Sequence, residues 1–69
     1  MKTKFEIQGE HIELIKLLKI TGLCSTGGMA QIAAAEGRVT VDGQIERRKR
    51  CKLRRGQVVV FEGRVIEVA

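Results

Sequence analysis

Thr3 to Ile7 alternates, with Phe5 and Ile7 on one side and Lys4 and Glu6 on the other, which predicts a short first strand closed by Gln8-Gly9. From His11 to Ile20 the period lengthens. Ile12, Leu14, Ile15, Leu17, Leu18 and Ile20 make a broad apolar side, and Glu13, Lys16 and Lys19 share the remaining face. That spacing predicts an amphipathic helix over 11–20, with His11 exposed near its start and Lys16 and Lys19 facing solvent. Gly22 stands where a left-handed C-terminal cap is wanted, and Leu23 beyond it can fold back on the helix. Ser25 or Thr26 caps a second helix running to about Glu36, whose inner positions by spacing are Met29, Ile32, Ala33 and Glu36. The alanines at 30, 33, 34 and 35 allow another element to approach closely, and Gly37 supplies the stop.

Beyond Gly37 the period is two. Arg38 to Val41 alternates, and Asp42-Gly43 is a hairpin turn. A two-residue turn sets Thr40 opposite Ile45 and Val41 opposite Gln44, so the apolar residues do not share a face and the chain should leave the ladder after Ile45. Arg55-Gly56-Gln57 reads as a turn, Val58 to Phe61 as an apolar strand, Glu62-Gly63 as a second tight turn, and Arg64 to Val68 as the closing strand. The fold class is therefore α+β: two helices packed on one face of a small, mostly antiparallel sheet. It forms a single domain over residues 1–69, without internal repeat or linker.

Composition narrows the function. Sixty-nine residues hold one small core, and a hydrophobic content of 43 % is that of a globular domain rather than a disordered basic tail. No apolar run approaches the roughly 18 residues of a membrane span. The start, Met1-Lys2-Thr3-Lys4, carries no apolar leader, so a cytoplasmic protein is expected. Cys24 and Cys51 make no disulfide framework and, with His11 the single histidine, no four-ligand zinc site. Both read as reduced, half-buried small hydrophobes, and neither metal nor cofactor is expected. The lone histidine, the lack of a GxxxxGK phosphate loop and the short chain argue against an enzyme and against a small-molecule substrate.

Charge is concentrated rather than spread. Thirteen Lys plus Arg against eight Asp plus Glu give +5, yet seven of the thirteen lie in RRKRCKLRR, residues 47–55, which contains no acid. A dense positive segment on a nearly neutral domain is the footprint of a polyanion binder. Cys51 and Leu53 interrupt the run with period two, so in an extended strand Arg50, Lys52 and Arg54 face one side while Cys51 and Leu53 anchor the other. No amphipathic helix carries these charges and no aromatic lies beside them, which argues against a lipid surface. An acidic ribosome-associated protein is the rival partner and double-stranded DNA a second, although no helix has the Arg, Asn and Gln content of a major-groove reader.

The run from Glu13 through Phe61 resembles the RNA-binding domain named after small-subunit ribosomal protein four, the S-four domain or alpha-L motif. The resemblance rests on the leucines of the first helix with Gly22 at its end and on the capped second helix with Ala30. It continues through Gly37, the Val39-Thr40-Val41-Asp42-Gly43 hairpin and a glycine turn before a β-branched strand. Small size and the basic run look most like the stand-alone bacterial members of the YbcJ type. The resemblance implies binding of structured RNA, ribosomal or transfer RNA, on a positive surface made by the helices and the hairpin; separately, a monomer is expected.

Arg38 keeps a basic position of the family, whereas Glu13, Thr26-Gly27 and Gln31 stand where members often carry arginine or a Ser-Arg pair. Asp42 replaces the usual turn asparagine, and Gln57 the aspartate after Gly56. Phe5 and Phe61 fall in strand patterns that bury them, so base stacking gives way to phosphate and shape recognition. The residues expected to meet RNA are Arg38, Arg47, Arg48, Lys49, Arg50, Lys52, Arg54 and Arg55, together with Gly27, Gly28 and Gln31. Gly27-Gly28 opens the second helix with uncovered backbone N–H groups that can hold a phosphate.

Overall fold

The computed structural model describes residues 2–69. Its organisation begins with two tight turns. Glu62 and Gly63 (φ 50° and 78°) join β6 (Val58–Phe61) to β7 (Arg64–Val68), and Asp42 and Gly43 (φ 52° and 83°) join β3 (Val39–Val41) to β4 (Gln44–Ile45). Positive φ at both central residues is the geometry that lets a two-residue loop follow the strand twist. The β3–β4 register is the one the turn dictates, Thr40 opposite Ile45 and Val41 opposite Gln44. Both β4 residues are exposed and no apolar face holds them; the strand ends at Ile45, with one further bond from Glu46 N–H to Val39 O at 3.0 Å.

β1 (Lys2–Phe5) lies parallel to β7, giving the sheet order β1-β7-β6-β3-β4. This one parallel pairing makes the sheet mixed. Ile7 is outside the strand but remains tied to the sheet end, its N–H donating to Ala69 O at 2.8 Å, and its side chain is buried.

The first helix is shorter than its pattern. Ile12 and Glu13 form a separate strand, β2, which pairs with β5 (Lys52–Leu53), and α1 runs only over Leu14–Ile20. Local periodicity cannot see a partner some forty residues away. Leu14, Leu17 and Leu18 are fully buried, while Ile20 at the open end is half exposed. Gly22 ends the helix at φ 81°, and Leu23 packs against the core.

In α2 (Gly27–Ala35) the buried face differs from the one that spacing predicts. Thr26 caps it, its hydroxyl accepting from Met29 N–H at 3.1 Å. Ala30, Ala33 and Ala34 face the core, whereas Met29 and Ile32 are 52 % and 58 % exposed and Glu36 is an exposed C-cap. α2 packs directly on α1, and only methyl groups fit between helices that close, so the alanine stripe takes the inside and the longer side chains turn outward.

Two substitutions distinguish these faces by urea titration. Ile32→Gln should change the unfolding free energy by less than about 0.5 kcal/mol. Ala34→Leu should cost about 1–3 kcal/mol by overpacking. The reverse order would restore the face read from spacing.

Candidate nucleic-acid interface

Seven cations within nine residues repel one another, so an ordered arrangement has to be fixed from outside the run. Backbone bonds supply much of the fixation. In the β2–β5 ladder Ile12 stands opposite Leu53 and Glu13 opposite Lys52, and Leu53 is fully buried. α1 begins without a side-chain cap, because Glu13 is extended (φ −73°, ψ 144°) and bonds no helix N–H. Its first N–H groups donate to the basic run instead, Leu14 to Cys51 O at 2.9 Å and Ile15 to Lys49 O at 3.1 Å.

On the outer side, Arg48, Arg50, Lys52 and Arg54 line one shallow depression of about 480 Å³ with Cys51 at its wall. Arg48 is also held by Glu46, which receives Nε at 3.0 Å, Nη2 at 3.2 Å and the Arg48 backbone N–H at 3.1 Å. These bonds, the side-chain ones foremost, hold the Glu46 carboxyl at about 2, well below its usual range. Burial, aided by the neighbouring Glu46, pushes the Cys51 thiol up, so the sulfur is a neutral wall rather than a reactive thiolate. Cys24 is buried, Cys51 half-buried, and both are free.

The remaining candidates are placed elsewhere or otherwise engaged. Arg47 Nη1 donates to Ala35 O at 3.0 Å at the end of α2. Arg55 donates to Gly9 O at 2.8 Å and Ile7 O at 3.0 Å. Lys49 is exposed but does not line the depression. Arg38 is gripped by Glu36, at 2.9 Å, and by Glu62, with its guanidinium 5.3 Å from the centre of the Phe61 ring.

Gly27, Gly28 and Gln31 lie on α2, and Arg47 of the basic run bonds that helix at its opposite end, at Ala35 O. The two glycines have no positive φ, and a Cβ would meet nothing within 4 Å at Gly27 and only Thr26 Oγ1, at 3.7 Å, at Gly28. The turn into α2 therefore does not require them.

Three residues that shape the site escaped the sequence reading. Glu46 is one; its position just ahead of the run was the available signal. The others are Asp42 and Gln57, two of the departures from the family pattern. Asp42 accepts from Val58 N–H at 2.9 Å and from Gln57 Nε2 at 3.3 Å, and Gln57 Oε1 accepts from Arg54 N–H at 2.7 Å. They tie the β3–β4 turn to the exit of the basic run. Among the described residues no group of three His, Cys, Asp or Glu could hold a metal, and no helix is long and apolar enough to cross a membrane.

Comparison with known proteins identifies the family. YbcJ of Escherichia coli strain K12 and YbcJ of Shigella flexneri are each 52 % identical to the chain over 58 residues, covering 84 % of it and 83 % of each relative. The solution structure of E. coli YbcJ, described as revealing an alfaL motif involved in RNA-binding, matches with a TM-score of 0.74 and 46 % identity, over 96 % of this chain and 85 % of that one. The S4 domain family matches residues 5–69, which take in both helices, the basic run and every strand but the first three residues of β1, and the chain belongs to that family.

Proposed function

We propose that this protein binds structured RNA, ribosomal or transfer RNA, in the cytoplasm and as a monomer, by docking phosphates into the depression lined by Arg48, Arg50, Lys52 and Arg54. The observation that carries the reading is the convergence of these four cations on one ordered surface. Similarity to YbcJ, whose structure is described as containing a motif involved in RNA-binding, supports it. Phe5 is only partly buried but packs on the core, and Phe61 is buried, which leaves no aromatic platform for unpaired bases among the described residues. Three of the four cations are arginines, whose forked guanidinium suits bidentate phosphate contact. Recognition then depends on the spacing of phosphates on a folded RNA.

Filter binding with labelled bulk transfer RNA, ribosomal RNA, poly(U) and duplex DNA tests this. Transfer or ribosomal RNA should bind in preference to the other two, with log K falling against log salt at a slope of about 3 for four engaged phosphates. Arg50→Gln combined with Lys52→Gln should reduce that slope by about 1.5. A slope unmoved by the double substitution would place docking on another surface.

Glu46 competes with phosphate for Arg48. Glu46→Gln should therefore tighten RNA binding severalfold and steepen the salt dependence; unchanged binding would remove Arg48 from the docking set. The same variant reports on stability. The folded carboxyl titrates near 2 rather than at its ordinary 4.5, so the pair's stabilisation is complete above 4.5 and is lost as pH falls through about 2. Urea midpoints across that window should fall in the parent protein by more than in Glu46→Gln.

A further inference from the structure

The basic run divides its labour by parity. Every odd position from 47 to 55 is tied inward: Arg47 by its guanidinium to Ala35 O, Lys49 and Cys51 by their carbonyls to the start of α1, Leu53 by burial, and Arg55 by its guanidinium to Gly9 O and Ile7 O. The even positions, Arg48, Arg50, Lys52 and Arg54, line the depression. The run is not one strand: it turns at Lys49–Arg50, where Cys51 N–H donates to Arg48 O at 3.1 Å, before the short strand Lys52–Leu53, and Cys51 lines the depression too.

From this, and resting on the RNA-binding reading above, we infer that Arg47 and Arg55 are positioning residues rather than phosphate contacts. They clamp the two ends of the run so that the cations between them are presented in a fixed array.

The clamps are specific in form. The Arg47 guanidinium lies against Gly37, where a Cβ would come within 3.0 Å of Nη1 and Nη2 and 3.1 Å of Cζ. Gly37 (φ 75°) thus both ends α2 and leaves the seat for a flat group. Arg55 spans two carbonyls at once, which a planar fork does and an ammonium on a flexible stem does poorly. Both clamps join the run to distant chain: Arg47 to α2, twelve residues back, and Arg55 to the β1–β2 loop, 46 and 48 residues back. Neither guanidinium is in an ion pair with a carboxylate among the described residues; one donor of Arg47 and two of Arg55 go to backbone carbonyls.

Salt titration of RNA affinity separates positioning from contact, because a lost phosphate contact lowers the slope by about 0.7–0.9 whereas lost preorganisation lowers affinity at constant slope. Arg47→Gln and Arg55→Gln should each weaken binding of bulk transfer RNA about three- to tenfold with the slope unchanged, measured well below the melting temperature. Arg47→Lys should weaken it as much as Arg47→Gln, since it keeps the charge and loses the flat seat. A slope reduced by Arg47→Gln and restored by Arg47→Lys makes Arg47 a contact and overturns the inference. So does unchanged affinity in both glutamine variants, even if their melting temperatures fall, because the clamps would then be structural only. Arg50→Gln with Arg54→Gln is the reference: if these too leave the slope unchanged, the RNA-docking surface itself is wrong and the clamps are not at fault.

Discussion

The uncapped start of α1 is the constraint on which the basic surface depends. The N–H groups of Leu14 and Ile15 need acceptors, and the carbonyls of Cys51 and Lys49 fill that need. Electrostatics oppose the arrangement, because a helix N-terminus carries partial positive charge and the incoming segment is cationic. Hydrogen bonding and the burial of Leu53 offset the repulsion. Glu13 eases it, standing in register with Lys52 at the junction. With the carbonyls of Lys49 and Cys51 bonded to the helix start and Leu53 buried, a stretch that would be a mobile polycation becomes one wall of the fold.

Features set by local chemistry were legible in the sequence. The Asp42-Gly43 and Glu62-Gly63 turns, the β3–β4 register, the Gly22 cap and the Thr26 cap all follow from residues within a few positions of one another. What failed to show was set at a distance. Ile12 fits a helical apolar pattern as well as a strand, and only Leu53 opposite decides the matter. Met29 and Ile32 have core-like spacing, yet the closeness of α1 gives the inside to Ala30, Ala33 and Ala34. The parallel pairing of β1 with β7 joins the two ends of the chain and leaves no trace in either strand alone.

The site divides along the same line. The period-two interruption by Cys51 and Leu53 is visible in the segment itself; Arg50, Lys52 and Arg54 line one depression and Leu53 is buried, but Cys51 lines the depression with them instead of anchoring the opposite side. Where an arginine tip goes is not visible there. Arg38 keeps a basic position of the family, and only the fold sets Glu36 and Glu62 beside it and Phe61 beneath it. Arg47 and Arg55 look like any other members of the run until the carbonyls of Ala35, Ile7 and Gly9 are brought to them. Asp42 and Gln57 read as losses against the family pattern, and the fold turns them into a linked pair of braces.

The distribution of acids completes the argument. Glu67 meets Lys2 and Lys4, and Glu36 and Glu62 meet Arg38, so these carboxylates are spent on cations outside the run. Within 47–55 only Arg48 meets a carboxylate among the described residues. Apart from the Arg48–Glu46 pair, the cations of the depression form no ion pair among the described residues, and the repulsion between them persists in the free state. A polyanion relieves that repulsion and gains attraction in the same step. Screening by salt acts in opposite senses on the two states, easing repulsion in the free chain while weakening the complex through the loss of counterion release. A rigid array strengthens both effects, since cations that cannot move apart keep their repulsion until a ligand removes it.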